Sequence, residues 1–396
     1  MPYIGRISYS LYLWHWPLFS FSILIPIIFY LEKNFGIIYM RLFKLLILIP
    51  LSFIFAILSY RFIEYPLRKV KDFKKVFYIF CILIFVSLFG LLIYLKQGLP
   101  NRKFRLYELK IENSQDLMPY SSKNDNCLFL IKNLTGKYPK FDYCLANTKA
   151  NDFDILILGD SHSSNLYYGF KKYFGDKIRY LELGIPSWPA TFMLAEENLK
   201  EALNTKEKIK NLFNVLKKLK FKSVIIVTRN IVYYNGEDVD TITKKIFLNC
   251  FINRTCDNKK IYLSEIYKTI RYLKSLGVSK IYFLFENPVL NFNPIFSAVN
   301  YKFPFKFLNL NETKISFIDF YKREKEFREN IRRTLYKENV EFLNTDPVFC
   351  DSKYCYAIKN KKILYCDDDH ISKYGAYLVT KFLDNIYNIT KDFQSL

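Results

Sequence analysis

The sequence predicts a three-layer α/β/α domain around a parallel sheet, preceded by three transmembrane helices. Residues 1–95 carry long apolar runs, whereas residues 96–396 mix charged and apolar residues as soluble domains do. In the later part, short apolar runs typical of buried strands alternate with longer segments typical of helices. Such alternation indicates an α/β fold with a parallel sheet between helical layers.

Three apolar segments are long enough to cross a bilayer, for which about 20 apolar residues are needed. They are Leu11–Leu31, Leu42–Ile63 and Val76–Leu95. A buried core helix could explain any one of them, but three in succession favour membrane spans. Basic residues cluster between the second and third segments. The positive-inside rule therefore predicts a multi-pass protein of the cytoplasmic membrane, with residues 97–396 on the periplasmic or extracellular side.

Five apolar runs are candidate strands, and five longer segments are candidate helices. The predicted strands are 153–158, Ile178–Leu183, Ser223–Thr228, Lys280–Phe285 and Val340–Asn344. The predicted helices are Ser163–Phe174, Asn198–Leu219, Leu263–Leu276, Ile315–Glu338 and Lys373–Tyr387. Residues 97–150 are polar and irregular, so we expect a linker and a small lead-in subdomain there. In parallel sheets, sites form at the carboxyl ends of the strands.

The chain is basic, with 59 Lys and Arg against 37 Asp and Glu and a net charge of +22. A charge of this sign can indicate nucleic-acid binding. The lysines are scattered, however, and neither a zinc-finger spacing nor an RNP signature is present. We therefore expect no nucleic-acid partner.

Seven of the eight cysteines follow residue 95. They are Cys127 and Cys144, which flank a polar loop, the close pairs Cys250/Cys256 and Cys350/Cys355, and Cys366. Their spacing is not that of a zinc site. Outside the cytoplasm, close pairs of this kind indicate disulfides, with Cys366 able to compete with Cys355 for Cys350. In the cytoplasm they would be free thiols.

A candidate nucleophile follows the first predicted strand, in Gly159-Asp160-Ser161-His162. A serine at a sharp strand-to-helix turn exposes its hydroxyl, and N–H groups at the helix start can stabilise an oxyanion. Taken alone this signal is weak, because Asp and Ser are ordinary turn and N-cap residues.

A candidate base lies in Asp367-Asp368-Asp369-His370, just before the last predicted helix. An Asp three residues before a His can fix its tautomer and leave the other ring nitrogen to take a serine proton. We therefore predict a triad of Ser161 as nucleophile, His370 as general acid and base, and Asp367 as its orienter. An acidic calcium-binding turn or a solvated charge run is the alternative, although the EF-hand spacing is absent. We predict no metal site.

Two motifs in the membrane part resemble the acyltransferase-3 family. They are Ile-Ser-Tyr-Ser-Leu-Tyr-Leu-Trp-His-Trp-Pro at 7–17 and Tyr-Arg-Phe-Ile-Glu-Tyr-Pro-Leu-Arg at 60–68. The motif residues are His15, Glu64 and Arg68. A histidine in a membrane segment is a functional candidate. An interfacial histidine bonded to a neighbouring helix is the alternative.

This resemblance covers residues 1–75, which would be the C-terminal remnant, with two transmembrane helices, of a membrane domain that usually has about ten spans. Residues 76–96 would form the third transmembrane helix, and residues 97–150 the linker and lead-in. The chain is then expected to be an N-terminally truncated or separately encoded half of such a protein.

The outer part resembles the SGNH (GDSL-like) hydrolase superfamily, on the residues from Gly159 to His162 and on Asp367-x-x-His370. Asp-Asp-Asp-His-Ile-Ser followed by Tyr-Gly-Ala is similar to the ending of outer domains fused to acyltransferase-3 proteins. The resemblance implies a flavodoxin-like SGNH domain over residues 151–396. It also implies an oxyanion hole from Ser161, Gly184 and Asn230. Gly184 could equally be a plain turn glycine, and the full Gly-x-Asn-Asp form is absent at Asn230.

The resemblance implies an O-acyltransferase, with acetyl as the expected group, acting through a serine acyl-enzyme on a cell-envelope polysaccharide or lipopolysaccharide. No cofactor is expected to be bound, and the acyl donor, acetyl-CoA, would be supplied through the membrane domain. Membrane lipids and a separately encoded N-terminal half are the other expected partners. The alternatives are a membrane-tethered carbohydrate esterase and a non-catalytic remnant.

Overall fold

The chain divides into two structural units. In the computed structural model, the described residues are 2–22, 42, 44–68, 73–95, 121–192, 199–236, 257–292, 294, 299–302, 305–308 and 313–390. The first unit comprises Met1–Tyr107 with Asn300–Phe307, and the second comprises Glu108–Val299 with Leu308–Leu396.

The first unit is helical. Its helices are α1 (Pro2–Ser22), α2 (Ile49–Ser59), α3 (Tyr65–Arg68) and α4 (Phe73–Leu95), with π-helical turns at Lys44–Leu48 and Tyr60–Glu64 on either side of α2. The helices α1 and α2 pack together, and the rings of Trp14 and Phe55 stack at 5.0 Å. The strands β6 (Val299–Lys302) and β7 (Phe305–Leu308) form a two-stranded sheet.

One helical segment of the described residues is long and apolar enough to cross a membrane. It is Leu45–Glu64, a segment of 20 residues with a mean hydropathy of 2.2 over its most apolar 18 residues. Phe80–Leu95 is a shorter apolar helix by the same measure. The first predicted span continues beyond Ser22 into residues outside the described part. The three predicted spans therefore remain a prediction.

The second unit is built on a six-stranded sheet in the order β1-β3-β2-β4-β5-β9. The strands are β1 (Tyr143–Ala146), β2 (Asp152–Gly159), β3 (Tyr180–Gly184), β4 (Lys220–Val227), β5 (Lys280–Leu284) and β9 (Val340–Leu343). All neighbours are parallel except β1, which runs antiparallel to β3 at one edge. The sheet is thus mostly parallel, and β1 is the exception to the prediction.

Helices cover both faces of this sheet. They are α5 (Asp125–Thr135), α6 (Ser161–Phe174), α7 (Leu199–Leu216), α8 (Asn230–Asn235), α9 (Asn258–Ser275), α10 (Phe317–Thr334), α11 (Asp346–Phe349) and α12 (Lys373–Tyr387), with a 3₁₀ turn at Tyr336–Glu338. Side chains alternate along a strand, so Leu156 and Leu158 pack with α7 and α9 while Ile155 and Ile157 pack with α6 and α12. The predicted α/β/α layers are therefore present.

Two of the differences between the predicted element boundaries and the structure concern the edge of the sheet and the start of α10. Residues 143–146, within the predicted lead-in, form β1 and complete the sheet edge. Ile315, predicted to begin a helix, lies instead in β8 (Lys314–Ser316), which pairs with β10 (Tyr354–Tyr356). The helix α10 begins only after Ser316, whose hydroxyl caps it by accepting from the Asp319 N–H. A further hairpin pairs β11 (Ile358–Lys359) with β12 (Lys362–Ile363).

Two of the predicted cysteine pairs are disulfides. Cys127 in α5 is bonded to Cys144 in β1, which fixes the helix to the edge of the sheet. Cys350 is bonded to Cys355. The Cys366 thiol lies outside these bonds and donates to the Ile371 carbonyl at 3.6 Å. The predicted Cys250/Cys256 pair lies outside the described residues.

Candidate active site

The turn that carries Ser161 is held by the preceding aspartate. Asp160 is the N-cap of α6, and its Oδ1 accepts the His162 N–H at 2.9 Å. Its Oδ2 accepts the Arg229 N–H at 2.9 Å and the Tyr233 hydroxyl at 2.8 Å, both just after β4. One buried carboxylate therefore fixes the carboxyl ends of two neighbouring strands. Ser161 is the first residue of the helix, where N–H groups have no intrahelical acceptor.

Glycine at the end of β2 permits close contact between strands. Gly159 is in register with Val227 of β4 and Gly184 of β3. A Cβ at Gly159 would overlap the Val227 carbonyl, and a Cβ at Gly184 would overlap the Gly159 carbonyl. Both positions therefore require glycine for packing alone, whatever Gly184 does in chemistry.

The turn that carries His370 is a narrow loop closed by backbone bonds. The Cys366 N–H donates to the His370 carbonyl at 2.7 Å, and the backbones of Tyr365 and Ile371 form an antiparallel β-bridge. Ser372 then caps α12 by accepting the Gly375 N–H at 3.0 Å. The loop thus holds His370 at the start of the last helix.

Packing between α6 and α12 brings the two turns together. Gly169 lies against the Ala376 carbonyl, so the two helix backbones approach without an intervening side chain. At the helix ends, the Ser161 hydroxyl lies 2.7 Å from His370 Nε2. His370 Nδ1 lies 3.0 and 3.1 Å from the two oxygens of Asp367. The structure therefore brings the three predicted triad residues within hydrogen-bonding range.

A second carboxylate also contacts the ring of His370. Asp369 Oδ1 lies 2.7 Å from His370 Nδ1. Asp369 Oδ2 lies 2.9 Å from Arg229 Nε and 3.7 Å from the buried His162 Nε2. The rings of His162 and His370 are 4.9 Å apart. His370 thus lies beside a buried cluster of ionisable side chains, which consists of Asp369, Arg229 and His162.

Electrostatics at this site favour a charged imidazole. Burial alone would lower the pKa of His370, but bonding to Asp367 and Asp369 raises it to about 10. Burial also lowers the pKa of His162, but the neighbouring Asp369 and Asp160 raise it, and the result is a pKa above the usual value. The two carboxylates therefore stabilise the imidazolium that forms when Ser161 gives up its proton.

Two of the predicted oxyanion residues, Ser161 and Asn230, differ in how their N–H groups are placed. Ser161 has its N–H at the helix start, as required. Asn230 is fully buried, and its amide donates to the Leu284 carbonyl at 3.2 Å. Its oxygen accepts from Thr228 and Tyr262 at 2.7 and 2.9 Å. This arrangement ties Asn230 to the core and uses one of its two amide protons, and its oxyanion role stays a prediction.

Two buried glutamates lie close to the site. Glu182 on β3 lies 2.7 Å from the Ser163 hydroxyl, and its burial raises its pKa well above the usual value. Glu286, after β5, accepts the Ile231 N–H at 3.0 Å and lies 3.9 Å from Arg229 Nε. Burial and then Glu324 raise the pKa of Glu286 to about 8.

A cation could in principle use some of these groups. Ligand atoms of His162, Asp369 and His370 all lie within 4.8 Å of one another, as do those of Asp367, Asp368 and Asp369. The Arg229 guanidinium already supplies positive charge to Asp369, however. Asp367 Oδ1 accepts the N–H groups of Asp369 and His370 within its own turn. These carboxylates are therefore used by the protein itself.

The membrane-motif residues lie in the first unit. His15 Nδ1 donates within its own helix, 2.9 Å from the Tyr12 carbonyl, and its ring lines a cavity of about 470 Å³ between α1 and α2. Glu64 accepts the hydroxyl of the buried Ser10 at 2.7 Å, which joins the two motifs. Arg68 is the last residue of α3.

Sequence reasoning assigned no chemistry to Arg229, Asp369, Glu286 or His162. A signal for Arg229 was available. It follows a continuous apolar strand directly, at the carboxyl end of a strand next to that of Ser161. Asp369 is one of three consecutive aspartates, and the direction in which each side chain points depends on the geometry of the turn.

Comparison with known proteins identifies the family to which the chain belongs. Residues 126–385 match the family described as the SGNH domain fused to AT3 (acyltransferase-3) domains. No curated protein matches the sequence. Among solved structures, the chain is similar to the periplasmic domain of a lipopolysaccharide acetyltransferase from Salmonella ser. Paratyphi A. The identity is 15% and the TM-score 0.45, over 72% of this chain and 98% of that chain. The family match spans more than half of the sequence, and the chain therefore belongs to the SGNH domains that are fused to AT3 domains.

Proposed function

We propose that this protein is a membrane-anchored O-acyltransferase, which transfers an acetyl group to hydroxyls of a cell-envelope polysaccharide or lipopolysaccharide through an acyl-enzyme at Ser161. The observation that carries the proposal is the 2.7 Å contact between the Ser161 hydroxyl and His370 Nε2, with carboxylates at Nδ1. Nucleophile, base and orienter in hydrogen-bonding reach are the requirement for covalent acyl transfer. Membership in the family of SGNH domains fused to AT3 domains supports transfer as the outcome.

The first half-reaction forms the acyl-enzyme. The Ser161 oxygen attacks the acyl carbonyl carbon while its proton passes to Nε2 of the neutral, Nδ1-protonated form of His370. The resulting imidazolium is stabilised by Asp367 and Asp369. The Ser161 N–H stabilises the oxyanion, with Gly184 and Asn230 as the remaining predicted donors. The leaving group takes the proton from His370 as the tetrahedral intermediate collapses.

The second half-reaction releases the group to an acceptor. A sugar hydroxyl gives its proton to His370 and attacks the acyl carbon, and Ser161 leaves as its hydroxyl is reprotonated. The two disulfides of the second unit support a location of this unit outside the cytoplasm. The apolar segment Leu45–Glu64 supports attachment to the membrane. The acyl donor, acetyl-CoA, would reach Ser161 through a membrane domain.

Hydrolysis by the same acyl-enzyme is the second candidate. The His370 side chain is 29% exposed, so that water can reach the base. An esterase would release free acetate at a rate that does not depend on a sugar acceptor.

The test uses the full chain in detergent with p-nitrophenyl acetate as donor and base-treated, deacetylated envelope polysaccharide as acceptor. Transfer predicts acetate bound to the sugar in wild type, and its loss in Ser161→Ala by about 1,000-fold or more. Free acetate alone, at a rate unchanged by the acceptor, would establish the esterase instead. Neither product above the Ser161→Ala background would refute both.

A further inference from the structure

The buried Ser163 hydroxyl contacts two oxygen atoms but carries only one proton. Its oxygen lies 2.7 Å from the Asp160 carbonyl and 2.7 Å from Glu182 Oε1. A carbonyl oxygen only accepts, so the bond to Asp160 uses the hydroxyl proton. The contact with Glu182 is then a hydrogen bond only if the carboxyl group donates to the Ser163 oxygen, which requires the protonated acid. An ionised Glu182 would leave one of the two contacts without a proton.

The surroundings of Glu182 also favour the neutral acid. The residue is fully buried, and within the described part of the chain its Oε2 has no hydrogen-bond partner. Burial raises the pKa of Glu182 well above the usual value, and the Asp160 carboxylate acts in the same direction. Other ionisable groups near Glu182 are the phenols of Tyr143, Tyr167 and Tyr168, which are acids as well. Because a buried carboxylate without a cation is costly, the protonated form is the stable one here.

The bond between Glu182 and Ser163 joins the two elements that carry the nearest predicted oxyanion donors. Glu182 lies on β3, two residues before Gly184, and Ser163 lies in the first turn of α6, two residues after Ser161. A Cβ at Gly184 would lie 3.2 Å from Glu182 Oε1, so the carboxyl group is beside the glycine backbone. A negative charge in this place would oppose the oxyanion that the donors are expected to stabilise.

We propose that Glu182 is a positioning residue of the oxyanion site, and that it acts as a neutral carboxylic acid that donates to Ser163. This inference rests on the proposed acyl-enzyme function and adds a residue to it. The acid holds the first turn of α6 against β3, which fixes the Ser161 N–H relative to Gly184. Because the acid is neutral, it does so without placing a charge beside the oxyanion. Neither Glu182 nor Ser163 needs to contact the substrate for this.

The protonation state of Glu182 is measured by infrared difference spectroscopy on the full chain in detergent at neutral pH. The spectrum of wild type minus that of Glu182→Gln should contain the C=O stretching band of a protonated carboxylic acid, which moves in heavy water. Subtraction removes the bands of the other carboxyl groups, which both proteins share. A carboxylate band in place of the carboxylic acid band would overturn the proposal. This measurement does not depend on activity.

Turnover of p-nitrophenyl acetate by two variants tests the positioning role. Glu182→Met has a side chain of similar length that cannot donate, so α6 is no longer held against β3. We expect its kcat to fall at least about tenfold with KM within about threefold of wild type, since the oxyanion donors are then misplaced. The conservative Glu182→Gln donates through its amide and should rescue kcat to within about threefold of wild type. Glu329→Met on the exposed surface of α10 is the matched control and should leave kcat unchanged.

Other outcomes separate this proposal from the proposed function. If Ser161→Ala abolishes turnover but Glu182→Met keeps wild-type kcat, or Glu182→Gln loses as much as Glu182→Met, the positioning role of Glu182 is wrong and the acyl-enzyme stands. Melting curves identify a variant that fails to fold. If Glu182→Met is such a variant, the infrared band and the kcat of Glu182→Gln decide the proposal. If Ser161→Ala retains wild-type turnover, the proposed function itself fails.

Discussion

Gly169 on α6 lies directly against the carbonyl oxygen of Ala376 on α12, with no space for a Cβ between them. This contact sets the distance between α6, which begins with Ser161, and α12, which follows the loop that carries His370. The residues of the site are 209 positions apart in the chain, so helix packing determines whether they meet.

Gly169→Ala is therefore expected to lower both stability and activity. Overpacking of a close contact costs about 1–3 kcal/mol, or about 2–4 °C in melting temperature for each kcal/mol. Displacement of α12 should also lengthen the Ser161–His370 contact and reduce turnover by at least about tenfold. Gly90→Ala in α4 is the matched control, since nothing lies within 4 Å of its Cβ position. Equal melting temperatures and turnover for the two variants would contradict this role of Gly169.

Asp160 should contribute more to stability than an ordinary N-cap. Asp160→Asn keeps a cap for α6 but replaces the oxygen that accepts both the Arg229 N–H and the Tyr233 hydroxyl. A buried donor without an acceptor costs about 1–3 kcal/mol. The comparison is Asp257→Asn, which changes the exposed N-cap of α9 and should be nearly neutral. Thermal unfolding of both variants measures the difference, and a neutral Asp160→Asn would show that the two bonds contribute little.

The stability of the second unit should fall as pH rises through the neutral range. Glu286 has a folded pKa of about 8 against 4.5 for an ordinary glutamate. Between these pH values the folded state binds a proton that the unfolded state has lost. Each rise of one pH unit therefore lowers the free energy of unfolding by about 1.4 kcal/mol. The contribution is complete below pH 4.5 and is lost by about pH 8.

Glu286→Gln should therefore make the melting temperature fall less steeply between pH 5 and pH 8, and Glu329→Gln on the exposed surface of α10 should leave that slope unchanged. Parallel curves for wild type and Glu286→Gln would mean that Glu286 is ionised in the folded protein.

The disulfide between α5 and β1 should be a main source of stability at the sheet edge. It closes a loop with a sequence separation of 17, and a bond over such a loop contributes about 3 kcal/mol. Replacing Cys127 and Cys144 together by alanine should lower the melting temperature, whereas Cys81→Ala in α4 should not. Equal melting temperatures for both variants, or an unchanged value on reduction of wild type, would oppose this assignment.

Much of the fold followed from local pattern. The continuous apolar run of β2 and the turn residues after it predicted both the buried strand and the position of Ser161. Asp367 and His370 were identified by their spacing, because a three-residue separation is enough for a carboxylate to reach the ring of a histidine. The SGNH family was also named from these motifs, and the match over residues 126–385 agrees with it.

Other features depend on tertiary contacts that a single sequence does not display. β1 has only four residues and lies in a polar region, so its pairing with β3 could not be predicted from hydrophobic pattern. The burial of Asn230 depends on Leu284 and Tyr262, which come from distant elements. The different exposures of Asp367 and Asp369 arise from the turn geometry and from Arg229, which follows β4 in a distant part of the chain.

The most direct test of the account is to trap the acyl-enzyme. The full chain in detergent is mixed with p-nitrophenyl acetate, quenched in acid, digested, and the peptides are analysed by mass spectrometry. We expect an acetyl group on Ser161 in wild type, none at position 161 in Ser161→Ala, and strongly reduced acetylation in His370→Ala. Acetyl groups on surface lysines only, with the same pattern in all three proteins, would contradict it.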